Sequence, residues 1–276
     1  MASPRTGAAP APEPAALLAL AVSAAREAAV LVARGRDTAA EQVTTKSSPV
    51  DVVTAVDAAS EELLVRRLLA DRPDDGVLGE EGAERGGTSG VRWILDPIDG
   101  TVNFLYDVPA YAVSVAAEVD GVVRAGAVLD VATGELFTAT AGGGAWLAAP
   151  GRPVRRLAVN RPESLDRTLV ATGFGYRAEQ RRSQGAVVAQ LLPLVRDIRR
   201  FGSAALDLCA VAAGRVDAYY ELDLNAWDHA AGALVAAEAG AVVAGLGGTP
   251  VGEPMVVAVA PSVAEPFLEL VAELHR

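Results

Sequence analysis

One nine-residue stretch, from Trp93 to Thr101, carries side chains that could act on a phosphate ester. It holds two carboxylates, Asp96 and Asp99, three positions apart across a proline, and it ends in Gly100-Thr101. Hard divalent cations prefer carboxylate and carbonyl oxygens as ligands. Backbone N–H groups exposed at a turn or at the start of a helix bind phosphate. The stretch therefore offers both halves of a metal-assisted phosphate site.

Further acidic residues stand where strands end or helices begin, namely Asp57, the pair Glu80-Glu81, and Asp228. Taken singly, each is typical of a helix cap or a solvated acid. Together with the two aspartates above, they predict a cluster of carboxylates that repel one another and need cations to neutralise them. Because the chain has only 2 His and 1 Cys, we expect Mg²⁺, with Mn²⁺ as a substitute.

The elements that must position these acids differ between the two parts of the chain. The apolar run 91–95 predicts a buried strand, which Asp96-Pro97 ends. After Thr101 the pattern predicts a hairpin of 112–119 and 122–131 around a type I′ turn at Asp120-Gly121, within an antiparallel meander. The first half is therefore predicted to be α+β.

The second half alternates strands and helices and is predicted to be an α/β layer. It includes a helix at 204–213 capped by Ser203 or Gly202, and a helix at 227–240 with Asp228 in its first turn. We expect a tail at 1–14, which is predicted to be disordered, followed by halves at 15–150 and 151–276 that form one compact unit.

Helical patterns also predict two helices in the N-terminal part of the chain. A first helix should begin at Pro14 and stop at Gly35. Asp57 should open a second helix, on which Glu61 and Glu62 form a solvated face.

Composition limits the classes of protein. The chain has 276 residues, 51% of them hydrophobic, and a net charge of −11, which argues against a surface for nucleic acid. Cys209 lies in an apolar run and is expected to be a small buried hydrophobe, which leaves no internal disulfide. The apolar start, 15–25, continues as an amphipathic helix, so we expect no membrane span and a cytoplasmic protein.

Several motifs resemble the inositol monophosphatase family, Mg²⁺-dependent and lithium-sensitive phosphatases of the sugar-phosphatase superfamily. They are the segments 79–81 (GEE), 93–104 (WILDPIDGTVNF), 202–205 (GSAA), 219–221 (YYE) and 227–232 (WDHAAG). The actinobacterial branch is the most similar. The resemblance implies a layered αβαβα sandwich and, by analogy only, a homodimer.

The resemblance also implies roles. Two to three metal ions would be held by Glu80, Asp96, the Ile98 carbonyl, Asp99 and Asp228, with Asp96 bridging two ions and Glu80 also catalytic. Thr101, paired with Asp57, would activate a water molecule. The substrate contacts would be Asp99, Gly100, Thr101, Ser203, Ala204, Glu221 and Asp228. Lys46 would lie in a mobile loop at 37–48.

The resemblance points to hydrolysis of a polyol phosphate monoester, with myo-inositol monophosphate as the leading substrate. Alternatives with the same metal core are histidinol phosphate, fructose 1,6-bisphosphate and a 3′-phosphonucleotide. A non-catalytic regulatory protein and a Mg²⁺-binding module without hydrolysis are further hypotheses.

Three residues near the motifs need separate interpretation. Asp107 and Asp223 stand where the family often has glycine, so turns with positive φ are predicted at both positions. A second interpretation is that Asp223, as an acid beside Glu221, alters substrate preference. His229 is expected to pack rather than to bind metal, because helical neighbours point about 100° apart.

Overall fold

The computed structural model describes residues 12–39, 43–45 and 52–276, and side chains at 12–36, 44 and 54–276. Most of the predicted tail, Lys46 and much of the 37–48 loop lie outside the described residues.

The described part of the chain contains seven α-helices. They are α1 (Pro14–Ala39), α2 (Ala55–Asp71), α3 (Thr101–Leu105), α4 (Ala178–Leu191), α5 (Ala204–Ala212), α6 (Ala226–Glu238) and α7 (Ala264–Leu274).

The described strands number fifteen. They are β1 (Val43–Thr45), β2 (Val52–Thr54), β3 (Gly76–Gly79), β4 (Glu84–Arg85), β5 (Val91–Asp99), β6 (Ala112–Val119), β7 (Val122–Asp130), β8 (Leu136–Thr140), β9 (Gly144–Ala148), β10 (Arg155–Arg156), β11 (Leu169–Thr172), β12 (Asp197–Arg199), β13 (Ala218–Leu222), β14 (Val242–Ala244) and β15 (Met255–Val259).

Two large sheets organise the described strands. The eight-stranded sheet has the order β10-β9-β8-β7-β6-β5-β3-β4 and is antiparallel except where β3 runs parallel to β5. The five-stranded sheet has the order β12-β11-β13-β15-β14, with β11 parallel to β12 and β13. β1 and β2 pair separately. The division at residue 150 remains a prediction, and β10 beyond it pairs with β9 of the larger sheet.

The sheets and helices form five layers. Alternate residues of β5 separate to opposite faces of the sheet, with Trp93 and Leu95 buried against α1 and α2, and Ile94 against α5 and α6. The other side of α5 packs on the five-stranded sheet through Leu208 and Val211. Helices α4 and α7 cover the remaining face. This αβαβα sandwich confirms the predicted fold class.

Helix α1 is long and apolar enough, by length and composition alone, to cross a membrane. In this structure its Leu17, Ala21 and Val32 are fully buried in the core beside the eight-stranded sheet. The predicted stop at Gly35 is wrong, because α1 continues to Ala39. A Cβ at Gly35 would lie 2.7 Å from the Val56 side chain. The glycine therefore allows α1 and α2 to approach closely.

Local turn chemistry confirms several predictions. Asp120 and Gly121 have φ of 50° and 80°, as the type I′ turn requires. Asp107 and Asp223 have φ of 60° and 59°, the left-handed values predicted for them. The prediction that Asp57 opens the second helix is wrong, because the N-cap of α2 is Thr54 and Asp57 is the third helical residue, which completes a capping box.

Candidate active site

One cavity of about 520 Å³ collects the predicted site residues. It lies where β5 and β13 end and where α3, α5 and α6 begin. The predicted residues that line it are Glu80, Asp96, Ile98, Asp99, Gly100, Thr101, Ser203, Ala204, Glu221 and Asp228. Asp57 is behind this lining and reaches it through Thr101.

The predicted end of the strand at Asp96-Pro97 is wrong, because β5 continues to Asp99. A bulge in β5 brings Asp96 and Asp99 to the same side of the sheet. In a regular strand, residues three apart point to opposite faces. Here Asp96 lies opposite Ser114 and Asp99 opposite Ala112, so β5 contains one residue more than β6 over this interval. Because Ser114 and Ala112 are two apart on β6, both aspartates face the layer of α5 and α6.

Asp96 is the most crowded carboxylate of the cavity. It is 1% exposed and accepts a hydrogen bond from the Ile98 N–H at 3.0 Å. Burial, followed by the negative charges of Glu80, Asp99 and Asp228, raises its pKa well above the usual range. A bound cation would reverse this penalty, because it would favour the ionised form.

Asp99 is held by the start of α5. Its Oδ2 accepts hydrogen bonds from the Ser203 hydroxyl at 2.6 Å and from the Ala205 N–H at 2.7 Å. Burial raises the pKa of Asp99 to about 6, although these two bonds act in the opposite direction. Ser203 also caps α5 by accepting from the Leu206 N–H. One serine thus joins the helix start to the strand end.

Asp228 enters the cavity from the first turn of α6. Its Oδ2 accepts from the Asn225 N–H at 2.6 Å, which completes a capping box. Burial and the charge of Asp99 raise its pKa well above the usual range. The helix-cap interpretation and the cluster interpretation therefore both apply to this residue.

Thr101 and Asp57 form a hydroxyl–carboxylate pair. The Thr101 Oγ1 lies 3.1 Å from Asp57 Oδ1 and 3.0 Å from the Ile98 carbonyl oxygen, and either can accept its proton. Asp57 is 0% exposed, and its other oxygen accepts from the Thr54 N–H at 2.8 Å. Burial raises the pKa of Asp57, which makes it a better proton acceptor.

Gly100 has a conformation and surroundings that exclude a side chain. Its φ is 96°, and a Cβ there would lie 2.9 Å from the Ala110 carbonyl oxygen and 3.1 Å from that of Gly202. Glycine is therefore required at this position, which lines the cavity at the start of α3.

Glu221 forms the opposite wall. Its Oε2 accepts from the Tyr219 hydroxyl at 2.7 Å, and its carboxylate rests on Gly173, where a Cβ would lie 2.0 Å away. Burial raises the pKa of Glu221 to about 7, while the Tyr219 bond and the Arg200 guanidinium act in the opposite direction. This wall can present a carboxyl group in either protonation state near neutral pH.

The donor set opposite Glu221 fits a hard divalent cation in its chemistry. It consists of the carboxylates of Glu80, Asp96, Asp99 and Asp228 and the Ile98 carbonyl, and the mutual repulsion seen at Asp96 is what a cation would relieve. Within the described residues, however, no three Asp, Glu, His or Cys side chains are arranged to hold an ion as they stand. The aspartates instead turn toward nearby backbone N–H groups.

Sequence reasoning missed residues that act on the site from outside the motifs. Glu61, predicted to be solvated, is 5% exposed and holds the loop that carries Glu80, whereas Glu62 is exposed as predicted. Arg200 lines the cavity. Asp207 is 1% exposed, and neither of its carboxylate oxygens has a hydrogen-bond partner among the described residues. Spacing alone carried no signal for Arg200 or Asp207.

Two predicted structural residues behave as expected. Cys209 is fully buried in the layer of α5 and α6, and burial raises the pKa of its thiol. His229 lies against Gly252 outside the cavity lining, and burial lowers its pKa to about 4.

Comparison with known proteins agrees with this geometry. A sequence model described as "Inositol monophosphatase family" matches residues 13–275. The chain is 51% identical over 236 residues to the inositol-1-monophosphatase of Mycobacterium leprae (strain TN), covering 82% of this chain and 80% of that protein.

A second relative has a different name. The chain is 40% identical over 229 residues to the Nus factor SuhB of Escherichia coli (strain K12), covering 82% of this chain and 84% of that protein. Among solved structures, Mycobacterium tuberculosis SuhB is similar with a TM-score of 0.81 at 46% identity, covering 95% of this chain and 98% of that chain.

Proposed function

Because the chain belongs to the inositol monophosphatase family, and is therefore a phosphoric monoester hydrolase, we propose that its substrate is a polyol phosphate, with myo-inositol monophosphate first. The observation that carries this proposal is the single cavity with two unlike walls. One wall is a crowded cluster of carboxylates around Asp96. The other contains Glu221, whose carboxyl group can form hydrogen bonds with substrate hydroxyl groups.

The acidic wall would bind Mg²⁺ through Glu80, Asp96, the Ile98 carbonyl, Asp99 and Asp228. When bound, the metal supplies Lewis-acid stabilisation of negative charge on the reacting phosphate, which such sites use in hydrolysis. In the metal-free chain these residues bear a desolvation and repulsion penalty. A penalty of this kind at clustered acids in a cavity favours a cation-dependent role.

The chain's own groups would handle the proton and the phosphate. The Thr101 hydroxyl, 3.1 Å from Asp57 Oδ1, can pass a proton to that carboxylate while it accepts one from the attacking water. The backbone at Gly100 and Thr101 would hold phosphate oxygens through N–H groups. The attack would be in line, with no phosphoenzyme.

The other wall would bind the alcohol part of the substrate. Glu221 accepts from Tyr219 and faces the cavity beside Asp223. A carboxyl group that is close to half ionised near pH 7 can either accept from or donate to a polyol hydroxyl. This supports a hydroxyl-rich substrate over an apolar one.

The deciding experiment is a phosphate-release panel on the purified chain. The substrates are myo-inositol 1-phosphate, histidinol phosphate, fructose 1,6-bisphosphate and a 3′-phosphonucleotide, each with and without Mg²⁺ and Li⁺. We expect the highest kcat/KM for inositol phosphate, dependence on Mg²⁺ and loss of activity with Li⁺. Faster hydrolysis of another member would reassign the substrate, and release independent of Mg²⁺ would contradict the proposed metal role.

The name of the Escherichia coli relative supports a second candidate, a regulatory role that does not need turnover. An Asp96→Asn variant separates the two, because a regulatory role would survive the loss of hydrolysis.

The remaining expectations concern assembly and location. We propose a homodimer in the cytoplasm, without nucleic acid as a direct ligand, because the net charge is −11. Light scattering after size exclusion tests the dimer, and a mobility-shift assay with RNA tests the last point.

A further inference from the structure

Glu61 of α2 is a buried carboxylate that does not line the cavity. Its Oε2 accepts a hydrogen bond from the Glu81 N–H at 2.8 Å, and its Oε1 accepts from the Ala83 N–H at 2.8 Å. A buried acid is costly unless its oxygens are satisfied, and here the backbone of one loop satisfies both.

The loop that Glu61 holds is the one that carries Glu80. Strand β3 ends at Gly79, the chain turns at Gly82 with φ of 106°, and β4 returns at Glu84. The Gly79 N–H donates to the Ala83 carbonyl at 2.7 Å, and the Glu80 N–H donates to the Leu95 carbonyl at 3.2 Å. With the backbone fixed on both sides, the Glu80 side chain is directed into the cavity.

The Glu61 carboxylate packs directly against the backbone at Gly79. A Cβ at Gly79 would lie 2.2 Å from Glu61 Oε2 and 3.1 Å from Oε1. The absence of a side chain at Gly79 is thus what lets Glu61 reach the two N–H groups.

The same face of α2 touches two more segments of the site. Asp57, Ser60 and Glu61 are spaced i, i+3 and i+4, which places them on one side of the helix. Asp57 accepts from Thr101 at 3.1 Å, and the Ser60 hydroxyl donates to the Pro97 carbonyl at 3.3 Å. One helical face therefore contacts the β3–β4 loop, the β5 bulge and the start of α3.

We infer that Glu61 is a positioning residue for the cation site: it fixes the backbone that follows Glu80, at Glu81 and Ala83, and thereby sets the affinity of the cavity for a divalent cation. The inference rests on the proposed function, since it assigns Glu80 to metal binding. Neighbouring Glu62 is exposed and lies 3.9 Å from Arg66 as a weak ion pair, so it provides a matched control.

The test is a titration of the full chain with Mn²⁺ in the absence of substrate. The electron paramagnetic resonance signal of free Mn²⁺ measures how much of the metal is bound. Glu61→Gln keeps the shape but replaces one acceptor oxygen with an NH₂ donor, so one loop N–H loses its partner. We expect about tenfold weaker Mn²⁺ binding, the scale found when a group that orients a metal ligand is removed. Glu62→Gln should bind as the wild type does.

A second variant protects the test against misfolding. If circular dichroism shows that Glu61→Gln is unfolded, Gly79→Ala replaces it, because its methyl group displaces the same carboxylate while Glu61 stays present. Weaker binding with wild-type secondary structure supports the inference. Wild-type Mn²⁺ affinity in the folded variant overturns it.

Hydrolysis is measured separately, so the two proposals can fail independently. If wild-type protein binds Mn²⁺, Glu61→Gln binds it weakly and no phosphate ester is cleaved, then the proposed reaction is wrong and the positioning role stands. At saturating Mg²⁺, Glu61→Gln should recover most of the wild-type kcat, because the chemistry groups are untouched.

Discussion

The two strands that supply acids to the cavity, β5 and β13, end in unlike environments. At the end of β5, Asp96 has three acidic neighbours that raise its pKa together with burial. At the end of β13, Glu221 has a hydroxyl donor, Tyr219, and a nearby cation, Arg200, which lower its pKa against the effects of burial and of the Asp99 charge. The β5 end bears a charge repulsion that a bound cation would relieve, whereas the opposing effects on the pKa of Glu221 at the β13 end leave it at about 7.

This difference separates two tasks in one cavity. A cluster of like charges concentrates negative potential where a metal can neutralise it. A single hydrogen-bonded carboxyl group suits a neutral, hydroxyl-rich partner. Four predictions test the contrast between the β5 end and the β13 end.

The largest effect is expected at Asp96. Asp96→Asn removes the central carboxylate of the β5 end, so kcat/KM should fall by at least about 1000-fold, the several kcal/mol that a catalytic metal contributes. Without metal, the free energy of unfolding at neutral pH should rise, because the variant lacks a carboxyl group whose pKa is higher in the folded than in the unfolded chain. Phosphate release and thermal melts with and without Mg²⁺ measure both effects.

Asp130→Asn is the matched control for that variant. Asp130 also ends a strand and is 6% exposed, but its Oδ1 serves the N–H groups of Ala132 and Thr133. Its replacement should leave kcat/KM within about twofold, as expected away from the site. Near-wild-type activity of Asp96→Asn at saturating Mg²⁺ would contradict the assignment of the β5 end.

The second prediction concerns the proton path beside the β5 end. Thr101→Val keeps the shape of the side chain but removes the hydroxyl that bonds to Asp57, so kcat should fall by about 10²- to 10⁴-fold. Thr101→Ser restores the hydroxyl and should recover activity to within about tenfold of wild type. Equal kcat for the Val and Ser variants would show that the hydroxyl has no role.

The third prediction uses the pH dependence of Glu221. Its pKa is about 7 in the folded chain against 4.5 in the unfolded chain. Below pH 4.5 both states are protonated, and between these values only the unfolded state ionises. The folded state then binds more protons, so the free energy of unfolding falls as pH rises.

Glu221→Gln lacks this penalty, so its stability advantage over wild type should grow by about 2 kcal/mol from pH 5 to pH 8. Tyr219→Phe removes a hydrogen-bond donor that lowers the pKa of Glu221, so that pKa should rise. The decrease in the free energy of unfolding should then continue to higher pH. Urea melts at several pH values measure both. If the difference in free energy of unfolding between wild type and Glu221→Gln does not change with pH, the pKa of Glu221 is not raised by folding.

The smallest effect is expected at the rim of the β13 end. Asp223 accepts from the Gln180 amide at 2.6 Å, and asparagine also tolerates its left-handed backbone. Asp223→Asn should change stability by less than about 0.5 kcal/mol. Its KM for inositol phosphate should change by about two- to threefold if the rim charge influences substrate choice, on the scale of a weak exposed interaction.

Asp107→Asn provides the comparison for Asp223. Asp107 has the same backbone conformation but pairs with Arg36 at 2.6 Å, outside the cavity lining. Its replacement should leave KM unchanged. An equal effect of both variants on KM would remove Asp223 from consideration as a specificity residue.

Much of the fold was predictable because its signals are local. The apolar run at 91–95, the hairpin of β6 and β7 with its Asp120-Gly121 turn, and the serine cap of α5 each depend on neighbouring residues, and each is confirmed. The edge strand β12 was not predicted, because three residues carry too little periodicity. The predicted end of α1 was wrong, because Gly35 allows close packing against Val56 and does not terminate the helix.

For the candidate site, the sequence by itself determined which residue types take part. The order of acids, glycine and threonine in 93–101 and the resemblance it carries do not depend on knowing the fold. Only the tertiary structure decided how those residues face one another. The β5 bulge turns Asp99 to the side of Asp96, and α2 brings Glu61 within hydrogen-bond distance of the Glu80 loop. The physical reason is that side-chain direction and desolvation depend on contacts between segments far apart in the chain, which no local pattern records.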